Sequence, residues 1–181
     1  ADLAVAFVLE SGFGLLEAHL DDLLDRGGQL RLLTGDYLGV TEPKVLFRLR
    51  DLHARHPARA DLRVFESAAG SFHPKSYIFH DSSGAGAALV GSSNLSRMAL
   101  LGGVEWNSRT ITSRDRAAFA DVAAGFEALF RHPNTRELNP DWIDRYRARR
   151  PLVRSVPDRE IAPPDEIPVA PPDPHLVQAR A

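Results

Sequence analysis

The chain has 181 residues, 44% of them hydrophobic, which suffices for one ordinary globular core and little more. A formal net charge of −2 provides no global basic field for a polyanion, and the lack of cysteine removes disulfides, thiol nucleophiles and thiolate metal sites together. No run approaches the roughly 20 apolar residues of a membrane span and no signal peptide is visible, so no membrane partner is expected and a cytoplasmic setting fits.

Residues 4–9 read as a buried strand that starts almost at the first residue. The chain opens on Ala1 rather than Met, so a piece of a longer protein is expected. Phe13, Leu16, Leu20, Leu23 and Leu24 recur at helical spacing over 13–26, and Gly27-Gly28 ends that helix. Residues 30–33 form a second strand running into Thr34-Gly35-Asp36-Tyr37. Thr41 is expected to cap a helix with Pro43 near its first turn, and Val45, Leu46, Leu49 and Leu52 form its apolar stripe. Residues 62–65 are a third strand. Three more candidates, 72–79, 87–90 and 104–111, follow with a short helix near 95–101 between the last two. Phe119, Val122, Phe126, Leu129 and Phe130 mark an amphipathic helix over 114–131, and Asn139-Pro140-Asp141 starts another ending near Arg150. Eight of the thirteen prolines lie between Pro151 and Pro174, so 151–181 reads as a linker or extended tail. Alternating strands and helices followed by clustered strands argue for an α/β or mixed-sheet layered fold.

Chemistry concentrates between Ser71 and Asn107. With period two, His73, Lys75, Tyr77 and Phe79 share one face of their strand, and Pro74, Ser76, Ile78 and His80 the other. An imidazole beside an ammonium calls for a nearby anion, and a phosphate would serve. The polar turn at 81–86 suits a hairpin, after which the next strand ends in Gly91-Ser92-Ser93-Asn94. There Gly91 would let a ligand approach, while Ser92 and Asn94 would donate hydrogen bonds to oxyanions. Val104-Glu105-Trp106-Asn107 follows, and Glu105 could orient the imidazole.

The ordered phrases His73-Pro74-Lys75-Ser76-Tyr77-Ile78-Phe79, Gly91-Ser92-Ser93-Asn94-Leu95-Ser96 and Glu105-Trp106-Asn107 resemble the phospholipase D superfamily. They are most similar to its nuclease branch, including members attached to DEAD/DEAH-box helicases. The resemblance spans residues 1 to about 150. It implies a phospholipase-D-like α/β domain, a mixed β-sheet sandwiched between helices, with 151–181 as a proline-rich linker or tail.

The implied activity is metal-independent hydrolysis of nucleic-acid phosphodiesters, with DNA ahead of RNA as substrate and no cofactor or metal. His73 would attack phosphorus through Nε2 and form a phosphohistidine. Glu105 would hold Nδ1–H, and Lys75, Asn94 and Ser92 would stabilise the phosphoryl oxygens. Because one motif copy supplies one histidine, the resemblance implies a homodimer that brings two together. A helicase domain would follow the tail, since no phosphate-loop motif lies within this chain. One departure stands out: His80 occupies the position where the family carries Asp.

Simpler accounts accompany these readings. Gly91-Ser92-Ser93-Asn94 suits a strand end and helix cap, Trp106 a core or interface position, and Thr34-Gly35-Asp36-Tyr37 a turn, although loops at strand ends often line ligand sites. Asn107 has no assigned role. His19, His53, His56, His132 and His175 lack ligand spacing and are expected to be solvated. Arg145, Arg147, Arg149 and Arg150 read as a solvated helix end rather than a phosphate contact. Two rivals remain: a catalytically weak or inactive phosphate-binding module that binds nucleic acid or dimerises its parent protein, and a lipid-processing phosphodiesterase, which no amphipathic membrane stripe supports.

Overall fold

The structure, a computed structural model, describes residues 1–67 and 71–150. The segment expected to be a proline-rich linker or tail, 151–181, lies outside the described residues. Strands β1 (Asp2–Val5), β2 (Leu30–Gly35), β3 (Ala60–Phe65), β4 (Lys75–His80), β5 (Gly86–Gly91), β6 (Asn107–Ile111) and β7 (Thr135–Glu137) form one sheet in the order β6-β5-β4-β1-β2-β3-β7. The β1–β2 and β2–β3 pairs are parallel and the others antiparallel, so the sheet is mixed, as the α/β reading requires.

Alternation along each strand feeds two cores. Leu3 and Val5 of β1 and Leu30 and Leu32 of β2 face helices α1 (Glu10–Asp25), α2 (Pro43–Arg55) and α4 (Pro140–Arg149). Ala4, Leu33, Ile78 and Ala88 face Phe126 and Phe130 of α3 (Arg116–Phe130) on the other side. Helices thus cover both faces, which is why β1 is buried throughout. Each fully buried Leu or Val contributes about 1.5–3 kcal/mol of transfer free energy.

Asp115 caps α3 by accepting from Ala118 N at 2.9 Å, and Asn139 caps α4 by accepting from Trp142 N at 2.9 Å. Thr41 does not cap α2. Its buried hydroxyl donates to the Gly35 carbonyl at 3.0 Å and accepts from Val8 N at 3.4 Å, tying the ends of β1 and β2 together. Glu42 takes the cap position.

Strand limits also differ from expectation near the motif. β4 starts at Lys75, not at residue 72, because Pro74 has no N–H for the ladder. β6 starts at Asn107, leaving Glu105 and Trp106 in the preceding connection. The helix expected over 95–101 is a single π-helical turn, Met98–Gly102. β7 was not foreseen, since three residues leave almost no periodic signal.

Candidate active site

His73 and Lys75 flank Pro74 at the entry to β4, at the end of the sheet where β1 and β2 finish. Lys75 pairs with Val5, and the same register carried outward sets His73 opposite Phe7. Lys75 is only 7% exposed, yet its ammonium stands 2.7 Å from His73 Nδ1, 3.3 Å from Nε2 and 3.4 Å from the His73 carbonyl. An ammonium can only donate, so a ring nitrogen that meets it acts as an acceptor, and both ring nitrogens lie within its reach. Tyr37, from the turn after β2, packs edge-on against the same imidazole, with centroids 6.2 Å apart and planes at 79°.

Asn94 reaches this end of β1 from β5. It is 3% exposed, and its Oδ1 accepts from Phe7 N at 3.3 Å. A backbone N–H must meet the amide oxygen, so Nδ2 is turned the other way as a donor. The segment behind Asn94 is held tightly: Leu9 N donates to Leu95 O at 3.0 Å, and Val8 bridges to Leu95. Gly12 permits this, because a Cβ there would meet Leu95 C, Leu95 O and Ser96 Cα at 2.4 Å. His73, Lys75 and Asn94 are therefore gathered around the end of one strand.

Ser92 and Glu105 form a second group one strand further out. The Ser92 hydroxyl donates to the Glu105 carboxylate, and Trp106 N donates to Ser92 Oγ at 2.9 Å. Glu105 also lies close enough to Tyr77 to join burial in pushing that phenol up from its ordinary value. The carboxylate that the resemblance assigns to the imidazole thus receives a serine hydroxyl, while Nδ1 of His73 is turned to Lys75.

Between Ser92 and Asn94 lies Ser93, to which the resemblance gives no role. It is buried, its carbonyl accepts from Tyr77 OH at 3.1 Å, and its hydroxyl accepts from Asn107 Nδ2 at 2.7 Å. Ser93, Asn107 and Tyr77 therefore brace the site from beneath. Strand parity had put Tyr77 on the same face as His73 and Lys75, but no spacing signalled Ser93 or Asn107.

Other expectations need correction. Gly91 makes room for backbone rather than ligand: a Cβ there would meet Trp106 O at 2.1 Å and Asn107 Oδ1 at 2.3 Å. Trp106 is not core, being 88% exposed. His56 is partly buried and faces Asp21 and Asp25, so it is tied to structure rather than solvated, whereas His53 and His132 are exposed as expected, with His53 Nδ1 2.6 Å from Ala60 O and His132 packed on Phe65 and accepting from Asn134 N. Arg149 pairs with Asp36 at 2.6 Å and Arg150 donates to Gly39 O at 2.5 Å, so the helix end staples the turn that carries Tyr37.

His80 does face away from the motif. Its Nε2 lies 3.5 Å from Asp2, inside a cluster in which Arg31 grips Asp2 with two hydrogen bonds and reaches Glu127. Burial opposes ionisation of Asp2, but Arg31 outweighs it and holds the carboxyl below the usual range. That cluster sits at the far end of β4. Among the described residues, no group of three or more His, Asp or Glu side chains is placed to hold a metal ion. No helix there is long and apolar enough to cross a membrane.

No protein-family model matches the chain, and no curated protein is significantly similar to it in sequence. The functional reading therefore rests on the residues themselves.

Proposed function

We propose that this domain is a phospholipase-D-type phosphodiesterase that cleaves nucleic acid. The observation that carries the reading is the convergence of the His73 imidazole, the Lys75 ammonium and the Asn94 amide on one end of β1. All three favour an anion, and a phosphodiester fits that demand.

In the proposed reaction, an entering phosphate draws the Lys75 ammonium away from Nδ1, which lets the ring proton move there. The Nε2 lone pair then attacks phosphorus, a P–N bond forms and the P–O ester bond breaks. The leaving oxygen takes a proton from a second histidine. That histidine next removes a proton from water, whose oxygen attacks phosphorus as the P–N bond breaks. A second copy of the chain supplies the other histidine in this scheme, so the working unit is a homodimer. Glu105 would exchange its Ser92 partner for Nδ1–H as substrate enters. DNA is proposed ahead of RNA, and a DEAD/DEAH-box helicase-type parent is the setting.

The test is incubation with single- and double-stranded DNA and RNA in EDTA, comparing the chain with His73→Ala. Cleavage that survives the chelator and is lost in the variant is the expected result. Activity abolished by EDTA would overturn the mechanism. Sedimentation of the active species tests the homodimer.

A second reading has one observation in its favour. Glu105, which would hold Nδ1–H, is paired with Ser92, and Nδ1 faces Lys75 instead. The domain would then bind phosphate without turnover. Failure to trap a phosphorylated His73 in a single turnover, despite tight binding of DNA, would favour it.

A further inference from the structure

Beside the site stands an aromatic group that the chemistry leaves unused. Trp106 is the most exposed aromatic side chain among the described residues, at 88%, whereas the other tryptophan, Trp142, is 3% exposed. The backbone beneath this indole is clasped twice by Ser92, whose N–H donates to the Trp106 carbonyl at 3.1 Å and whose hydroxyl accepts from Trp106 N–H at 2.9 Å. The ring is therefore presented to solvent from a fixed base, next to Glu105.

Charge around it is distributed unlike that of the whole chain. Residues 96–118 hold Arg97, Arg109, Arg114 and Arg116 against Glu105 and Asp115, within a protein of net charge −2. Both carboxylates are engaged, Glu105 by the Ser92 hydroxyl and Asp115 by the cap of α3. Arg109 and Arg114 are exposed and line one recess of about 200 Å³ with Thr110, Ile111 and Asp115. They lie on or just beyond β6, an edge strand of the sheet, and Arg109 follows Trp106 by three residues.

We propose that the β6 edge binds unpaired nucleic acid, with one base stacked on Trp106 and the neighbouring phosphates on Arg109 and Arg114. An exposed indole beside cations suits a single strand, because only an unpaired base offers its face for stacking while the backbone tracks along guanidinium groups. A duplex keeps its bases stacked on each other. The inference rests on the phosphodiesterase reading of the adjoining site and names its substrate as single-stranded.

The test uses the full chain carrying His73→Ala, in EDTA, so that binding is read without cleavage. A dT oligonucleotide of about ten nucleotides is titrated against tryptophan emission, alongside its RNA counterpart and its blunt DNA duplex. Trp142 is buried, so quenching reports Trp106. Quenching by either single strand and weak or no quenching by the duplex are expected. With a labelled oligonucleotide, Trp106→Ala should weaken binding roughly 5- to 100-fold and Trp106→Phe should recover most of it. Arg109→Gln and Arg114→Gln should each lower the salt slope by about 0.7.

Unchanged affinity in Trp106→Ala overturns the proposal. So does emission that varies with protein concentration and not with oligonucleotide, which would assign the indole to a second copy. Chelator-resistant cleavage by the wild type without quenching sinks this inference alone. Quenching without any cleavage keeps the binding surface and removes the phosphodiesterase reading.

Discussion

The ammonium of Lys75 lies 2.7 Å from Nδ1 of His73. An ammonium is a donor only, so the ring nitrogen that meets it is the acceptor of this contact. In the proposed mechanism the contact occupies space that a phosphate oxygen would need, so substrate entry and release of this hydrogen bond would be one event.

Replacing the ammonium while keeping its bulk should separate chemistry from packing. Lys75→Met is expected to lower chelator-resistant cleavage about 10²–10³-fold, the cost of one oxyanion-stabilising group. Thermal unfolding should stay near wild type, because a thioether fills the buried site without a charge to desolvate. Wild-type cleavage rates in the variant would remove Lys75 from the mechanism.

Asn94 accepts from Phe7 N with one amide end, and the proposed mechanism uses the other as a donor, so substitutions can divide the two roles. Asn94→Ala deprives the buried Phe7 N–H of its acceptor and should cost about 1–3 kcal/mol in urea unfolding. Asn94→Asp keeps an acceptor for Phe7 but loses the Nδ2 donor. It should be more stable than the alanine variant and as inactive in cleavage.

Gly12 lies on α1, far from the motif in sequence, yet it sets the depth of the segment behind Asn94. Gly12→Ala would ordinarily favour a helix by about 1 kcal/mol. Here its Cβ would strike the Leu95 and Ser96 backbone, so a loss of about 1–3 kcal/mol or more is expected instead. Thermal unfolding checks the sign, which is the informative part.

Leu38 follows Tyr37 with φ 54°, in the left-handed region, and its side chain is exposed. Leu38→Gly should therefore be neutral or stabilising by up to about 1 kcal/mol, where glycine elsewhere in an ordered segment costs a similar amount. Chemical denaturation decides it, and a clear loss would mean that the Leu38 side chain has a partner of its own.

Acid sensitivity should trace to Asp2. Its folded carboxyl is held below the ordinary value, so the unfolded chain binds the proton more readily. The stability this contributes is present above the unfolded value of about 3.9 and is lost as pH falls through the lower folded value. Urea midpoints measured downward from about pH 5 should fall less steeply for Asp2→Asn than for wild type. Equal slopes would mean that other carboxylates govern acid unfolding.

Much of the architecture was legible locally. Apolar runs located β1 and β2, although β1 spans Asp2–Val5 rather than 4–9, apolar stripes located three of the four long helices, and Asn139 announced the start of the fourth. Parity along β4 also separated His80 from His73 correctly. The errors arose where a residue serves a distant partner. Thr41 resembled a cap because its neighbours invite one, but it binds across to β1 and β2. Gly91 resembled a ligand platform, but strand β6 takes its space.

The sequence by itself determined the inward stripes of three helices, the two faces of the strand at 72–79 and which residue types meet near β4, because these follow from local periodicity and chemical identity. Only the tertiary structure decided that Asn94 turns to Phe7, Glu105 to Ser92 and Arg149 to Asp36. Those pairings join segments up to 113 residues apart. They depend on strand register and on close backbone approaches such as that at Gly12, which no pattern within one element encodes.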